Sequence, residues 1–388
     1  MSDTAQAPAG GTGYDQLAGA TGVGAGDADA YPEATKGAAG PSRRVELVDL
    51  TDRTIIVTGV TGQVARPLAT ALARNNTVYG AARFKDAALR EQLTAAGVRC
   101  VPADLVTGDL SGLPERVEYV LHFGVVKSNR WNVDLDGNVG GTLALAERYA
   151  GIARAFLHCS SGAVYAPDHE GVLAEDHPFG DSHAVWPFLH TYSVCKIAAE
   201  SAARYAARRF SLPTTIARLN VPYGSAAGGL PDYHLQMMIA GMAVPVYGES
   251  EAAATPTRYQ LLHDDDTAAM IPGLLAVADV PATVLNWAGP ETVAVQEWCA
   301  ELTALTGVPA TFEYTKATLG SVVMDLATLH ERVGRAKVPW RDGVRAMVAA
   351  RHPHLLRADA DATAQAQAQP RPASREEDRG RRRRGQLT

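Results

Sequence analysis

The sequence predicts a doubly wound α/β fold, a parallel sheet covered on both faces by helices, with a smaller C-terminal lobe added to it. Three features predict this. Short apolar runs alternate with helix-period runs through the first half of the chain, a glycine turn follows the first of those runs, and the alternation breaks up beyond about residue 223.

Taken in order, "RTIIVTG" (53–59) is a short apolar strand and "QVARPLATALARNN" (63–76) has helical spacing. "TVYGAAR" (77–83) is a second strand, "KDAALREQLTAAG" (85–97) a second helix and "VRCVPAD" (98–104) a third strand. "RVEYVLHFG" (116–124) is a fourth strand, and the helix "NVGGTLALAERYAG" (138–151) leads to a fifth, "ARAFLHCSS" (153–161). An alanine-rich helix containing "TYSVCKIAAE" (191–200) precedes the sixth strand, "TTIARLN" (214–220). Beyond it come Gly- and Pro-containing loops and scattered helices such as "TVAVQEWCAELTALTG" (292–307). The expected organisation is therefore a dinucleotide-binding domain over 47–225 and a smaller lobe over 226–353. Residues 1–46 and 354–388 are poor in large apolar side chains and read as disordered tails. The first tail holds "GATGVGAG" (19–26), which imitates a phosphate loop but has no strand before it. The arginines 379 and 381–384 read as part of a solvated tail.

The 388 residues are 46% hydrophobic and 20% charged with net charge -6, which argues against nucleic acid as a general partner. No apolar run approaches the roughly 20 residues of a membrane helix, and the first residues lack the order of a signal peptide. Cys100, Cys159, Cys195 and Cys299 are far apart and form no metal-ligand spacing, so the expectation is a cytoplasmic protein with buried thiols and no metal.

In "IIVTGVTGQVA" (55–65), Gly59 and Gly62 stand where a strand gives way to a helix. Glycine there permits a tight turn and lets backbone N–H groups approach a pyrophosphate at the helix N-terminus, as in a Rossmann-like nucleotide site. The third small position is Ala65, and Pro67 falls in the first helical turn, where a missing N–H costs little. After the second strand, Ala82 stands where an acid would grip a ribose hydroxyl and Arg83 follows it. An arginine without a carboxylate favours a 2′-phosphate, hence NADP, with NAD the alternative. Asp104, ending the third strand, reads as a partner for the adenine amino group or as a turn residue.

Tyr192 and Lys196 are four apart on a helix and share a face. A phenol near pKa 10 is too weak a base at neutral pH, and a neighbouring ammonium favours the phenolate. Lysine also has donors to spare for ribose hydroxyls. "TGVTGQVA", "CSSGAVYA", "YSVCK" and "RLNVPYG" stand in the order and spacing of the extended short-chain dehydrogenase/reductases, and the resemblance runs over residues 54–353. That group includes sugar-nucleotide epimerases and dehydratases. The resemblance implies Tyr192 as the proton-exchanging residue, Lys196 as its tuner and ribose holder, and Ser161, rather than Ser160, as the catalytic serine. It implies cofactor contacts from Thr58, Gly59, Thr61, Gly62, Gln63 and Val64 in the turn, and from Arg83, Asp104, Leu105, Gly124, Lys196 and Asn220 beyond it. Asn138 fits a structural asparagine, and Asn220 and Tyr223 lie where the sixth strand meets cofactor and substrate. Ser161, Asn220 and Arg258 are the expected substrate contacts. The family often dimerises through the YxxxK helix, and Ala198, Ala202 and Ala206 suit an expected homodimer.

Departures from the family narrow the reaction. Its dehydratases and decarboxylases place Thr-Asp-Glu or Thr-Ser-Glu where this chain has Ser160, Ser161 and Gly162, which leaves no obvious second base. Its arginine for the substrate diphosphate is here Tyr259, with Arg258 one residue out of step, and a one-residue slip on a strand turns the side chain over. The loop 166–190 is expected to line a substrate pocket, with His183, His190, Trp186 and Phe188 able to recognise a polar ring. His263 and Asp264 to Asp266 read as an acidic helix start, not a metal site. The expectation is an NAD(P)-dependent oxidoreductase acting on a hydroxyl or keto carbon of a small polar, sugar-like substrate. A sugar-nucleotide epimerase is the alternative, and a cofactor-sensing protein ranks last because Tyr192 and Lys196 are both kept.

Overall fold

The computed structural model describes residues 46–226, 228–252 and 256–357. The tail expectations for 1–45 and 358–388, with the glycine-rich stretch and the arginine cluster, lie outside the described residues.

The first half is built from β1 (Thr54–Thr58), α1 (Ala65–Leu72), β2 (Thr77–Ala82), α2 (Ala87–Ala95) and β3 (Arg99–Pro102). After these come β4 (Tyr119–His122), α3 (Trp131–Leu135), α4 (Gly141–Arg148), β5 (Ala155–Ser161), α5 (Tyr192–Phe210) and β6 (Thr214–Leu219). A π-turn, Asp136–Gly140, joins α3 to α4, so the expected single helix is a longer, interrupted one. β4, β5 and β6 are buried almost throughout, as strands covered on both faces must be.

The second half holds β7 (Val221–Gly224), β8 (Gly228–Gly229), α6 (Leu230–Ile239), β9 (Val244–Tyr247), β10 (Arg258–His263) and α7 (Asp264–Ala276). It continues with β11 (Thr283–Trp287), β12 (Thr292–Ala294), α8 (Val295–Thr306), β13 (Phe312–Thr315), α9 (Ala327–Arg332) and α10 (Trp340–Arg351). Seven strands form one parallel sheet in the order β11-β6-β5-β4-β1-β2-β3. The expected doubly wound sheet is present, and β11 extends it by a strand beyond the six read from sequence. Its chain order reverses between β1 and β4, the switch point where such sheets open a crevice at their carboxyl ends. β7, β8, β10 and β12 form a second sheet and β9 and β13 a third. Around them Trp298, Trp340 and Tyr223 centre a separate apolar cluster.

Asn220 is the point where the chain leaves one sheet for the other: β6 before it pairs with β5, and β7 after it pairs with β10. Beneath this junction lies a buried ion pair. Arg218 on β6 donates from Nε and Nη2 to the two oxygens of Glu200 on α5, both at 2.9 Å, and both side chains are 1% exposed. Ser160 of β5 also donates to Glu200. The remaining Arg218 nitrogen donates to Tyr165 Oη at 3.0 Å and to the Glu175 carbonyl at 2.8 Å. Tyr165 in turn donates to Asn286 of β11. Burial works against the Arg218 charge, but its bonds to Glu200 outweigh it and hold the guanidinium above its usual range. Removing one partner strands the other charge in the interior. Glu200→Ala is therefore expected to lower the unfolding free energy by roughly 3–5 kcal/mol, read by chemical denaturation.

Candidate active site

The crevice at the switch point is a cavity of about 820 Å³ that runs from the glycine turn, past β5 and α5, to the segment around residues 316–322. Gly59, Thr61, Gly62, Gln63 and Val64 line one end. Gly59 has φ +68°, and a Cβ there would stand 2.8 Å from Gly124 Cα. A side chain is thus excluded twice, by conformation and by the approach of the β1 and β4 ends. The Gly62 N–H closes the turn on the Gly59 carbonyl at 2.8 Å. α1 follows, with the Arg66 N–H taken by the Gly62 carbonyl at 3.1 Å and none on Pro67, and its opening residues, ARPL, carry no carboxylate to neutralise its positive end. A positive helix end without a carboxylate, beside a turn narrowed by Gly59 and Gly62, fits a pyrophosphate, so the residues present suit a dinucleotide.

Behind the turn, Thr58 Oγ1 accepts from Gly124 N–H at 3.0 Å and lies 2.7 Å from His122 Nδ1. On the other side of the ring, Nε2 is 3.0 Å from Thr142 Oγ1, whose own proton goes to the Asn138 carbonyl. Thr142 can then only accept from His122, so Nε2 carries the proton and Nδ1 accepts from Thr58. This neutral ring fixes the Gly59–Gly124 junction from beneath. Burial, with a smaller contribution from the Lys196 charge, pushes the His122 pKa down to about 3.

Ser161, Tyr192 and Lys196 all line the cavity. They arrive there for separate local reasons. Side chains alternate at the end of β5, so Ser160 turns to Glu200 while Ser161 turns to the crevice, its Oγ accepting from Ala163 N–H at 3.2 Å. Tyr192 opens α5, and Lys196, one turn on, is 5% exposed with Nζ 6.0 Å from the Tyr192 ring centroid. One Lys196 N–H is committed to the Cys159 carbonyl at 2.8 Å, leaving two for other acceptors. The start of α5 is held by Asp134, whose carboxylate accepts from Thr191 Oγ1, Ser128 N and Oγ, and Asn129 N at 2.7 to 2.9 Å. Burial opposes that charge, but the four donors outweigh it and lower the Asp134 pKa. Burial also pushes the Cys159 and Cys195 thiols up to about 11, which removes both as nucleophiles.

Other expected site residues fall elsewhere. Asn220 reaches the cavity, yet its amide donates to the Val322 carbonyl at 2.9 Å and so clips down the segment that closes the far end. Thr58, Leu105 and Gly124 stand behind the turn, where a Cβ on Gly124 would meet Leu105 Cδ1 at 2.6 Å. Asp104 spends a carboxylate oxygen on the Val106 N–H at 2.9 Å, a turn contact at the end of β3. Arg83 is exposed past the end of β2. Arg258 is not brought to the cavity: it is exposed, while its β10 neighbour Tyr259 is 5% exposed and lines the crevice. The one-residue slip seen in the sequence does turn the arginine away. Tyr223 likewise leaves the site, buried against the Trp340 carbonyl in the second cluster. His263 caps α7 through Nδ1 and the Asp265 N–H, with three acids in the first turn. Ala202 and Ala206 are 6% and 1% exposed within the protomer, so they do not form an outer stripe on α5.

Sequence reasoning missed Glu200, Arg218 and Asp134 as positioning groups. Two of them had a signal: Glu200 lies one turn beyond Lys196, and Arg218 is the one charged residue of a strand without other charges.

The fold and site define an α/β nucleotide-binding enzyme. The NAD dependent epimerase/dehydratase family matches residues 55–284, more than half of the chain, and the chain belongs to that family. No curated protein sequence matches the chain. Among solved structures, UDP-glucuronic acid 4-epimerase from Bacillus cereus, with UDP-glucuronic acid and NAD, superposes with TM-score 0.64 at 20% identity over 76% of this chain and 98% of that one. MoeE5 with UDP-glucose and NAD gives 0.65 at 21% identity, covering 78% and 99%. DesIV, a dTDP-glucose 4,6-dehydratase from Streptomyces venezuelae, gives 0.63 at 20% identity, covering 76% and 95%. At these identities the likeness establishes the fold. No helix among the described residues is long and apolar enough to cross a membrane.

The neutral His122 ties stability to pH. Its folded pKa lies near 3 against an ordinary 6.5, so unfolding takes up a proton between those values. The contribution is complete above about pH 6.5 and is lost as pH falls from there toward 3, at about 1.4 kcal/mol per pH unit. His158, His183 and His234 are depressed by burial in the same direction. Denaturant unfolding between pH 7 and 5 is expected to show falling stability, with a shallower slope in His122→Gln than in the wild type.

Proposed function

We propose that the chain is an NAD(P)-dependent oxidoreductase that moves hydride between nicotinamide and a hydroxyl or keto carbon of a small, polar, sugar-like substrate. The observation that carries this reading is the meeting of Ser161, Tyr192 and Lys196 in the same cavity as the glycine turn. A bound nicotinamide supplies the hydride acceptor or donor. In the oxidising direction, Tyr192 Oη takes the proton of the substrate hydroxyl as the adjacent C–H hydrogen leaves as hydride, and it returns that proton when a carbonyl is reduced. Ser161 Oγ–H donates to the same substrate oxygen and stabilises the charge that develops on it. Lys196 favours the Tyr192 phenolate electrostatically and offers its two uncommitted N–H groups to ribose hydroxyls. Backbone N–H groups of the turn, at the positive end of α1, hold the pyrophosphate.

Arg83 supports a preference for NADP, because its exposed guanidinium follows β2 with Ala82 in the place of an acid; the solved neighbours above are described with NAD. A second reading, sugar-nucleotide epimerisation on a retained cofactor, is favoured by those same neighbours, two of which carry UDP-sugars or their acids. A homodimer in the cytoplasm completes the proposal.

Tyr192→Phe is expected to lower turnover of UDP-glucose or a ketone panel roughly 10²- to 10⁴-fold, followed by cofactor absorbance, while cofactor binding stays within a few-fold. Retained activity would sink the assignment. Arg83→Ala is expected to weaken NADPH roughly ten- to a hundredfold and NADH little, by fluorescence titration. A nucleotide that co-purifies in oxidised form supports the epimerase reading, and an empty site supports a reductase that exchanges cofactor each cycle.

A further inference from the structure

The loop leading into α5 carries His183 into the cavity. Its ring is 8% exposed, lines the crevice, and lies 5.0 Å from the Tyr192 ring, centroid to centroid. Trp186 meets it edge-on at 6.2 Å. The surrounding hydroxyls decide which ring nitrogen bears the proton. Ser182 Oγ donates its one proton to the Ala163 carbonyl at 3.2 Å, so toward every other neighbour it can only accept. His183 Nδ1 stands 3.1 Å from Ser182 Oγ and 3.0 Å from Ser193 Oγ, and the two hydroxyl oxygens are 3.3 Å apart. With Ser182 donating to the carbonyl, no contact faces lone pair to lone pair when the one Nδ1–H is shared between the two serine oxygens and Ser193 donates to Ser182. The opposite tautomer sets lone pair against lone pair at both Ser182 contacts. In that arrangement Nδ1 carries the proton, and Nε2 is an acceptor with no protein partner among the described residues.

We propose that His183 Nε2 accepts a hydrogen bond from a substrate hydroxyl next to the carbon that Tyr192 serves, which makes His183 a specificity-determining residue for a vicinal diol or polyol. This rests on the reading of the cavity as a site of redox chemistry at a hydroxyl-bearing carbon. The chemistry is one-sided. A hydroxyl in that place satisfies Nε2, whereas a deoxy carbon, an ether or a second carbonyl leaves a buried acceptor unpaired. Burial keeps the ring neutral, with a pKa of about 4, so Nε2 remains an acceptor through the neutral range.

The test compares UDP-glucose with its 2-, 3- and 6-deoxy analogues in the wild type, His183→Asn and His183→Gln. Asparagine keeps a donor near Nδ1 but removes the Nε2 acceptor; glutamine restores an acceptor at that reach. The wild type is expected to lose about tenfold in kcat/KM on one analogue. His183→Asn should lose about the same on UDP-glucose and nothing further on that analogue, and His183→Gln should recover part of the loss. An equal fall on parent and analogue in His183→Asn means only a packing role and overturns the proposal. A second measurement needs no turnover: nitrogen-15 NMR of labelled histidine in the cofactor-loaded protein should show His183 unprotonated at Nε2. An Nε2–H tautomer overturns the proposal even where UDP-glucose is turned over. Inactivity of the wild type toward every sugar and ketone counts instead against the oxidoreductase reading, and the tautomer then decides the role of His183.

Discussion

The bidentate pair between Glu200 and Arg218 is the contact on which the site's geometry depends. It joins α5 to β6 and, through Ser160, Tyr165 and Asn286, draws in β5, the loop after it and β11. Two charges taken out of water are not a source of net stability when compared with well-packed apolar residues. What the pair supplies is position. An apolar contact tolerates sliding by a fraction of an ångström, but a planar guanidinium forked onto a carboxylate has one geometry. α5 is thereby locked in register on β5, and Tyr192 and Lys196 ride on that helix two turns and one turn before Glu200.

Asp134 does the same at the other end. It gathers the Ser128–Asn129 backbone, which leads away from the β4 end, and Thr191, which precedes Tyr192. The reactive stretch of α5 is thus clamped by one carboxylate at its start and another two turns later. Between the clamps Lys196 has, among the described residues, one acceptor, the Cys159 carbonyl. β5 serves both functions with adjacent residues. Ser160 faces the buried charge and Ser161 faces the cavity, so any shift of the anchor is transmitted to the cavity wall.

How much of this was legible follows from how local each signal is. The six strands, the glycine turn and the Tyr192–Lys196 pair depend on spacing within one element, and spacing is what a sequence displays. β11 escaped because its strand pattern sits some sixty residues past β6, amid irregular segments, and only the third dimension returns it to the sheet edge. Asp134, in an unremarkable short helix, gave no local sign of its four donors. Arg258 and Tyr259 show a rule that was visible and not followed: the period of two along a strand already put the arginine out of step, yet Arg258 was still expected among the substrate contacts, and it lies outside the cavity that Tyr259 lines. Tyr223 misled because its motif placed it beside Asn220, yet crossing into the second sheet turned it into the apolar cluster around Trp340.

The division between what could and could not be read is also a division within the site. Ser161, Tyr192, Lys196 and the glycine turn stand at strand ends and on α5, elements whose geometry is held by ladders and buried ions. The rest of the cavity wall comes from the loop holding Ser182 and His183 and from the segment 316–322 clipped down by Asn220. Loops can change length and composition without disturbing the sheet, which is how one fold comes to carry different sites. The protonation of His183 depends on a serine one residue before it, a serine ten residues later and a carbonyl on the far side of the loop. No spacing rule relates those three groups. The substrate a site of this kind accepts is therefore decided by contacts that exist only once the chain has folded.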